Sequence, residues 1–311
     1  MARLFVPQIA TMSNLYALFP SDPLSPRYPD PAFAPEAEVA RALGFQISLL
    51  DHDELDRRID PTAALRRAVF EEEGIAVYRG WMLSAPAYEA LHAALASRDV
   101  DMITAPSQYA SCHHAPGGHA ALSQWSPEAV FVPKEDIGNP RDLLERLLPF
   151  GGAPVVLKDW VKSQASGYWK EACLIPDTSS ADEVARVVSR FLELQGETLT
   201  GGLVFKRLLP LATHDGTALE YRAFAVDGRI VGRWPRSKEA ADLPTPPDDL
   251  LEAVAALTPS PFASLDFGLD DDGRWWLLEA GDGQVSGLPH EDSAEPVFSA
   301  LRDLAARKRV L

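Results

Sequence analysis

The chain has 311 residues, enough for one large or two ordinary domains, and its 46% hydrophobic and 24% charged residues are typical of a soluble globular protein. Its formal charge of −16, from 45 acidic and 29 basic residues, argues against nucleic acid as the main partner. The N-terminus lacks the apolar core of a signal peptide, and no stretch approaches the ~18 consecutive apolar residues of a membrane helix. Two cysteines are too few for a disulfide framework. These features predict a cytoplasmic protein without a membrane partner and leave its oligomeric state open.

The N-terminal third alternates between strand and helix patterns. A short strand is predicted over residues 2–8, and the proline-rich segment that follows must be irregular because successive prolines forbid a helix. Hydrophobic spacing then predicts helices and strands in alternation. The helices cover residues 36–44, 61–74 and 84–99, and the strands cover residues 45–51, 74–82 and 101–106. This order predicts a small α/β domain with a largely parallel sheet, and we place its boundary near residue 125.

Ligands of parallel sheets gather outside the carboxyl ends of the strands. The YRGW segment follows one of these predicted strands, so Arg79 and Trp81 are candidates for contact with a substrate. An ordinary strand end with Arg79 in water is the alternative.

The segment from Ser111 to Ala120 brings one cysteine and three histidines close together in sequence, Cys112, His113, His114 and His119. Their spacing matches no common zinc ligand pattern. A loop near the cleft is favoured over a zinc site.

The C-terminal part combines helices with strands and hairpins. Helices are predicted over residues 141–150, 177–196, 248–257 and 294–309, and strands over 152–160 and 201–211. Residues 219–234 form a hairpin pattern in which a loop of Asp227 and Gly228 would place Arg222 opposite Arg233. Two arginines so placed need anions, which could be Glu220 or a bound phosphate. A salt-bridged sheet surface without a ligand is the alternative.

A second hairpin pattern covers residues 262–280 around the turn at Asp272 and Gly273. Counting outward from that turn places Asp266 opposite Glu279 on one face. Two facing carboxylates repel each other unless a cation lies between them, and Asp282 follows close by. Three hard oxygen ligands suit Mg²⁺ better than Zn²⁺, and such ions usually also hold nucleotide phosphates. An exposed acidic hairpin without metal is the alternative.

The order of these features resembles the ATP-grasp superfamily: the strand that ends near Lys158, a polar loop, the VFKRLL strand, the EYRAF…DGR hairpin and the acidic hairpin. The YRGW segment and the proline-rich entry resemble the R-two-K clade of that superfamily. The resemblance implies an α/β chain that is α+β in its C-terminal half. Residues 1–125 would form a parallel-sheet, substrate-side domain, and residues 126–311 would form the ATP-grasp domain.

The resemblance also implies roles for individual residues. ATP would be held at its phosphates by Lys158 and Lys162 and at its adenine by the hinge Phe205, Lys206, Arg207 and Leu208. Arg222 and Lys238 would act on the γ-phosphate or an acyl phosphate. One or two Mg²⁺ ions, or Mn²⁺, would bind Asp266, Glu279 and Asp282. Two departures from the family pattern are an Asp at 282, where many members have Asn, and KSQASGYW in place of a glycine-rich phosphate loop.

The implied activity is the ATP-dependent joining of a carboxylate to an amine through an acyl phosphate, with small-molecule or peptide substrates. Two alternatives remain open: a kinase that transfers phosphate to a small molecule, and a nucleotide-binding module without turnover.

Overall fold

A computed structural model describes residues 14–161, 168–237 and 243–308. The chain divides into two compact units, one of residues 1–105 with 291–311 and one of residues 106–290. The division between Ala105 and Pro106 lies 20 residues before the predicted boundary near residue 125. The C-terminal helix, which we expected in the ATP-grasp domain, groups with the first unit because Phe298 packs against Phe19 and Phe45, with ring centroids 6.2 and 5.6 Å away.

The first unit contains a four-stranded parallel sheet in the order β2-β1-β3-β4, as the alternation of helices and strands predicts. Its strands are β1 (Asn14–Pro20), β2 (Gln46–Leu50), β3 (Gly74–Tyr78) and β4 (Val100–Met102). Its helices are α1 (Ala34–Ala42), α2 (His52–Asp56), α3 (Pro61–Ala64), α4 (Ala85–Ala96) and the C-terminal helix Ala294–Lys308. Ser84 begins α4 as predicted, because its hydroxyl accepts a hydrogen bond from the amide of Ala87.

Two predicted elements of this unit need correction. The central strand β1 was not predicted, and the strand expected over residues 2–8 lies outside the described residues. The helix expected over residues 61–74 ends at Ala64. Downstream, the Val69 carbonyl accepts a hydrogen bond from Ser48, and Phe70 packs edge-on against Tyr16 at 5.0 Å. These contacts with the sheet outweigh the helical spacing of the segment.

The second unit contains two four-stranded antiparallel sheets, in the orders β5-β8-β6-β7 and β12-β11-β13-β14. The first is built from β5 (Ala129–Pro133), β6 (Val155–Asp159), β7 (Leu174–Ile175) and β8 (Gly202–Arg207). A small ribbon, β9 (Thr213–His214) with β10 (Thr217–Ala218), precedes the second sheet. That sheet is built from β11 (Glu220–Val226), β12 (Arg229–Pro235), β13 (Phe262–Leu269) and β14 (Trp275–Asp282).

The helices of this unit are α5 (Pro106–His113), α6 (Ala115–Leu122), α7 (Ala181–Gln195) and α8 (Asp248–Ala256). We number the C-terminal helix of the first unit α9. Residues 140–150, predicted as an amphipathic helix, form a 3₁₀ helix whose apolar side joins the core beneath the first sheet. α7 contributes Val184, Val187 and Phe191 to the same core, and α8 covers the second sheet with Leu251 and Val254.

The hairpin of β11 and β12 turns at Asp227 and Gly228, as predicted, and both residues have positive φ, 53° and 71°. Its register differs from the prediction, however. An irregularity between Phe224 and Ala225 shifts the pairing by one residue, so Arg222 lies opposite Trp234 instead of Arg233. On its other side Arg222 lies opposite Asp266 of β13, which supplies the anion that the arginine requires.

Within the described ranges, no helix combines the length and apolar character needed to cross a bilayer.

Candidate active site

A cavity of about 640 Å³, counting space open to solvent, lies within the second unit. The first antiparallel sheet lines it through Phe131, Lys158 and Lys206, and β14 lines it through Leu278 and Glu279. Helices α5 and α6 close it with Cys112, His113, His114 and His119. The lining combines apolar surface with a few charged groups, as ligand pockets generally do.

Two lysines and one glutamate form the charged part of the cavity. The ammonium of Lys158 lies 3.3 Å from the Glu279 carboxylate, and its side chain is largely buried while that of Glu279 is half exposed. Lys206 donates a hydrogen bond to the carbonyl of Leu278 at 2.6 Å. Burial, assisted by the charge of Lys158, lowers the pKa of Lys206 to about 8. The cavity therefore holds two cations that an anionic ligand would stabilise.

The second sheet carries a neighbouring ion-pair network. The guanidinium of Arg222 donates to both carboxylate oxygens of Asp266, each at 2.7 Å, and to the carbonyl of Gly287 at 3.0 Å. Arg236 reaches the same carboxylate at 3.2 Å. This fork-to-fork arrangement fixes the orientation of the Arg222 side chain.

Glu220 adds a fourth charged group next to this network. Burial raises the pKa of its carboxyl group, although the nearby Arg236 opposes the shift. The backbone amide of Arg236 also donates to the Glu220 carbonyl at 2.8 Å. This bond and the ion pair with Asp266 hold Arg236 at the sheet.

The acidic hairpin pairs Asp266 with Glu279, as counting from the turn predicts. The route to this pairing differs, because the strands end at Leu269 and Trp275 and a bulge between Asp266 and Phe267 restores the register. Asp270, which precedes the turn of this hairpin, is buried. Its carboxylate accepts hydrogen bonds from the turn amides of Asp272 and Arg274 and from the Trp276 indole.

Asp282 does not join the other two carboxylates. Its side chain is fully buried, with Oδ2 accepting from the Ser260 hydroxyl at 2.7 Å and Oδ1 accepting from the amide and side chain of Gln284 at 3.0 Å. Side chains alternate between the two faces of a strand, so Glu279 and Asp282, three residues apart on β14, point to opposite faces. The expectation that Asp282 bends toward the pair is thus corrected.

Among the residues that the structure describes, no three histidine, cysteine or acidic side chains converge in a way that could hold a metal ion. Asp266 and Glu279 remain as two opposed carboxylates on one face. Mg²⁺ typically binds one or two carboxylates together with phosphate oxygens, so this pair fits a magnesium ion that arrives with a nucleotide. It does not fit a site made of protein ligands alone.

Only one of the four residues of the predicted adenine hinge lines the cavity. Lys206 lines it, whereas Phe205 is buried in the core beneath the sheet. The amides of Arg207 and Leu208 donate to the carbonyls of Glu128 and Pro154, and the Arg207 side chain pairs with Glu128 at 2.5 Å. Those two amides are therefore engaged, which argues against their reading an adenine ring.

Arg79 is not at a solvent-facing edge. Its side chain is fully buried, and its guanidinium donates from two nitrogens to the two oxygens of Glu36, each at 2.8 Å. This geometry corrects both the substrate contact and the solvated strand end considered from sequence. Trp81 is half exposed, and its indole nitrogen donates to Asp30 at 3.0 Å.

Lys162 and Lys238, the remaining predicted ligands of the phosphates, lie outside the described residues.

Sequence reasoning missed several residues that line the cavity. Phe131 lies on β5, and His119 of α6 packs edge-on against it at 4.9 Å. The apolar run AVFVP between two prolines could have identified this strand. The segment from Ser111 to Ala120, expected as a loop near the cleft, belongs to the helix pair α5 and α6 that lines the cavity. Prolines near the starts of these two helices were the available signal.

Comparison with known proteins identifies the region that carries Lys158, Lys206 and Glu279 of this cavity. Residues 149–301 match the family model of the ATP-grasp domain of R-two-K clade family 3, which confirms the resemblance found in the sequence. No curated protein is significantly similar to the chain.

Solved structures resemble the whole chain. The D-cycloserine synthetase DcsG has a TM-score of 0.61 at 17% identity, covering 93% of this chain and 99% of that one. An ATP-grasp RimK domain protein from Sphaerobacter thermophilus has a TM-score of 0.62 at 16% identity, covering 94% and 99%. The ATP-grasp ligase PsnB, solved with a minimal precursor, Mg and ADP, has a TM-score of 0.57 at 12% identity, covering 94% and 98%. At these identities the likeness establishes the fold, and the predicted ATP-grasp fold with an N-terminal parallel sheet is confirmed.

Proposed function

We propose that this protein, whose residues 149–301 match the R-two-K clade of the ATP-grasp superfamily, is an ATP-dependent ligase that joins a carboxylate to an amine. The observation that carries the proposal is the cavity that brings Lys158 and Lys206 next to Glu279, beside the bidentate pair of Arg222 and Asp266. Such an arrangement supplies cations for phosphates and carboxylates for a divalent ion.

In the proposed reaction, a substrate carboxylate oxygen attacks the γ-phosphorus of ATP, and the bond from phosphorus to ADP breaks. The amine nitrogen then attacks the carbonyl carbon of the acyl phosphate, inorganic phosphate leaves with the bonding electrons, and the nitrogen loses a proton. Neither step needs a side-chain nucleophile. Positioning and electrostatic stabilisation supply the catalysis.

Each charged residue has a part in this scheme. Lys158 and Lys206 hold phosphate oxygens, and Arg222 stabilises the charge that builds on the transferred phosphoryl group. Asp266 and Glu279 are the proposed ligands of Mg²⁺, which would neutralise phosphate charge when bound. Lys162 and Lys238 remain candidates for further phosphate contacts. Asp282 has a structural part, because it anchors the end of β14 through Ser260 and Gln284.

Trapping with hydroxylamine tests the activity. The protein is incubated with ATP, Mg²⁺ and hydroxylamine, together with amino acids and dipeptides offered one at a time. A ligase of this kind is expected to release ADP and phosphate and to form the hydroxamate of its carboxylate substrate. A kinase would release ADP without free phosphate or hydroxamate, and a binding module would release nothing. Either of these results would overturn the proposed ligase.

The metal assignment predicts that Glu279→Gln weakens ATP binding in Mg²⁺ by at least roughly tenfold, or ~1.4 kcal/mol. The reason is that an amide is a poorer ligand for this cation than a carboxylate. Calorimetry with and without EDTA measures the effect, which should disappear once the metal is chelated. Glu193→Gln is the matched control, because Glu193 pairs with Arg190 on the outer face of α7, away from the cavity lining. Equal affinities of parent and Glu279→Gln in Mg²⁺ would exclude this ligand.

The lowered pKa of Lys206 predicts a pH dependence of binding. With a pKa of about 8, the side chain is mostly charged at pH 7 and loses its proton as the pH rises. Since ATP stabilises the protonated form, its affinity should be fully present below pH 8 and should fall by about tenfold at higher pH. Lys206→Gln should bind weakly at pH 7 and show no such fall. Lys134 is exposed and outside the cavity lining, so Lys134→Gln should behave like the parent. An unchanged pH profile in Lys206→Gln would remove Lys206 from the site.

A further inference from the structure

A second cavity, of about 980 Å³ including space open to solvent, lies in the first unit, and the proposed ATP site does not use it. The cavity is lined by Pro20 and Ser21 at the end of β1, by Asp51 and His52 after β2, and by Trp81 after β3. β2 lies on one side of β1 and β3 lies on the other, so the strand order reverses at β1. Ligands of open parallel sheets bind in the crevice at such a point.

Two carboxylates of the cavity lining, those of Asp30 and Asp51, are held in place by neutral groups. Asp30 accepts hydrogen bonds from the amide of Ala32 at 2.9 Å and from the Trp81 indole at 3.0 Å. Asp51 accepts one from the amide of Glu54 at 3.2 Å. Within the described part of the chain, no cation forms a salt bridge with either side chain. Their negative charges would therefore favour an ammonium group on a ligand.

The lining also contains two arginines in surface ion pairs. Arg57 lies 3.4 Å from Asp53 and Arg58 lies 2.7 Å from Glu54, and both guanidinium side chains are more than 70% exposed. Exposed pairs of this kind contribute little stability, so either arginine can turn toward a ligand carboxylate. The Nδ1 atom of His52 in the same lining is buried and has no hydrogen-bond partner among the described residues. It offers a further polar contact.

The lining has an apolar part as well. Pro23 and Pro26 line it together with the Trp81 ring, which Phe33 supports edge-on at 5.0 Å. Half of the Trp81 side chain stays exposed although the indole nitrogen is bonded. A flat apolar group could pack against this ring.

We propose that this cavity binds a small zwitterion with an apolar side chain, a molecule that carries both an ammonium and a carboxylate group, as a free amino acid does. Asp30 and Asp51 receive the ammonium, Arg58 receives the carboxylate, and Trp81 contacts the side chain. This inference rests on the proposed ligase function, for which such a molecule supplies one of the two joined groups.

Ligand-observed NMR titration of the full chain without nucleotide tests the site, with L-phenylalanine as the probe. Phenethylamine and 3-phenylpropionate each keep the ring and only one of the two charges. We expect L-phenylalanine to bind and each single-charge analogue to bind at least about tenfold more weakly. Absence of phenylalanine binding, or equal binding of either analogue, would overturn the proposal.

Two matched pairs of variants locate the binding. Asp51→Asn removes the charge but keeps a good helix cap, and Asp60→Asn makes the same change at the cap of α3, outside the cavity lining. Arg58→Gln is compared with Arg41→Gln, whose parent residue pairs with Glu38 on α1. We expect about tenfold weaker phenylalanine binding for Asp51→Asn and Arg58→Gln and no change for the controls. If Asp51→Asn bound phenylalanine as tightly as Asp60→Asn, and Arg58→Gln as tightly as Arg41→Gln, the proposed binding site would be wrong.

Failure of this site and failure of the ligase function give different results. Phenylalanine binding that depends on Asp51, without ADP release or hydroxamate from any carboxylate offered, would retain the cavity as a binding site and remove the ligase function. The opposite result would be hydroxamate formation without phenylalanine binding, or with binding that Asp51→Asn leaves unchanged. It would retain the ligase function and remove the cavity as a binding site.

Discussion

Arg79→Ala is expected to lower the free energy of unfolding by about 3–5 kcal/mol, because it leaves the carboxylate of Glu36 buried without its partner. The pair joins the end of β3 to α1, and the backbone amide of Arg79 also donates to the Leu18 carbonyl of β1 at 2.8 Å. Urea unfolding followed by circular dichroism measures the loss.

Arg41→Ala is the matched control, because Arg41 and Glu38 form an exposed pair one turn apart on α1. Its effect should stay below about 0.5 kcal/mol. The double variant Arg79→Met with Glu36→Leu should recover most of the stability lost in Arg79→Ala, since it removes both charges together. If Arg79→Ala were as mild as Arg41→Ala, the buried pair would not carry the stability assigned to it.

The second large effect is expected at Arg222. If this guanidinium stabilises charge that develops only in the transition state, Arg222→Ala should lower kcat by roughly 10²–10³ while KM for ATP changes much less. Arg222→Lys should recover only part of the rate, because an ammonium cannot make the two parallel bonds that fix the side chain on Asp266. Steady-state phosphate release with the carboxylate found by hydroxylamine trapping measures both constants.

Arg233→Ala provides the control on the same sheet. Arg233 lies on β12 and pairs with Asp248 of α8, so its removal should leave kcat near the parent value. Lys158→Ala should instead raise KM for ATP, because that ammonium would contact phosphates already in the ground state. Small and equal effects at Arg222 and Lys158 would contradict a shared phosphate site.

Much of the architecture follows from local patterns. Alternating helix and strand periods predicted the parallel sheet, and the Asp227-Gly228 turn was correctly located. Counting along the hairpin also predicted that Asp266 lies opposite Glu279. The prediction holds because two deviations from the counted register cancel: the strand pairing ends at Leu269 and Trp275 near the turn, and a bulge then shifts the register back. Such irregularities leave little trace in one sequence. The same kind of shift displaced the predicted partner of Arg222.

Long-range pairing explains the main errors at individual residues. Glu36 lies 43 positions before Arg79, and nothing in the YRGW segment indicates that Arg79 pairs with a buried carboxylate. Asp282 differs, because its three-residue spacing from Glu279 on a strand already places it on the other face. The contribution of α5 and α6 to the cavity lining depends on how these helices pack. The glycine and histidine content of their sequence had indicated a loop instead.

The grouping of α9 with the first unit has a consequence for the order in which the chain folds during synthesis. Residues 106–290 are continuous and carry two cores of their own, so this unit can fold as soon as it leaves the ribosome. The unit that begins the chain must wait, because Phe298 on α9 packs against Phe19 and Phe45. A fragment of residues 106–290 should therefore fold alone, whereas residues 1–105 without α9 should expose apolar surface and aggregate.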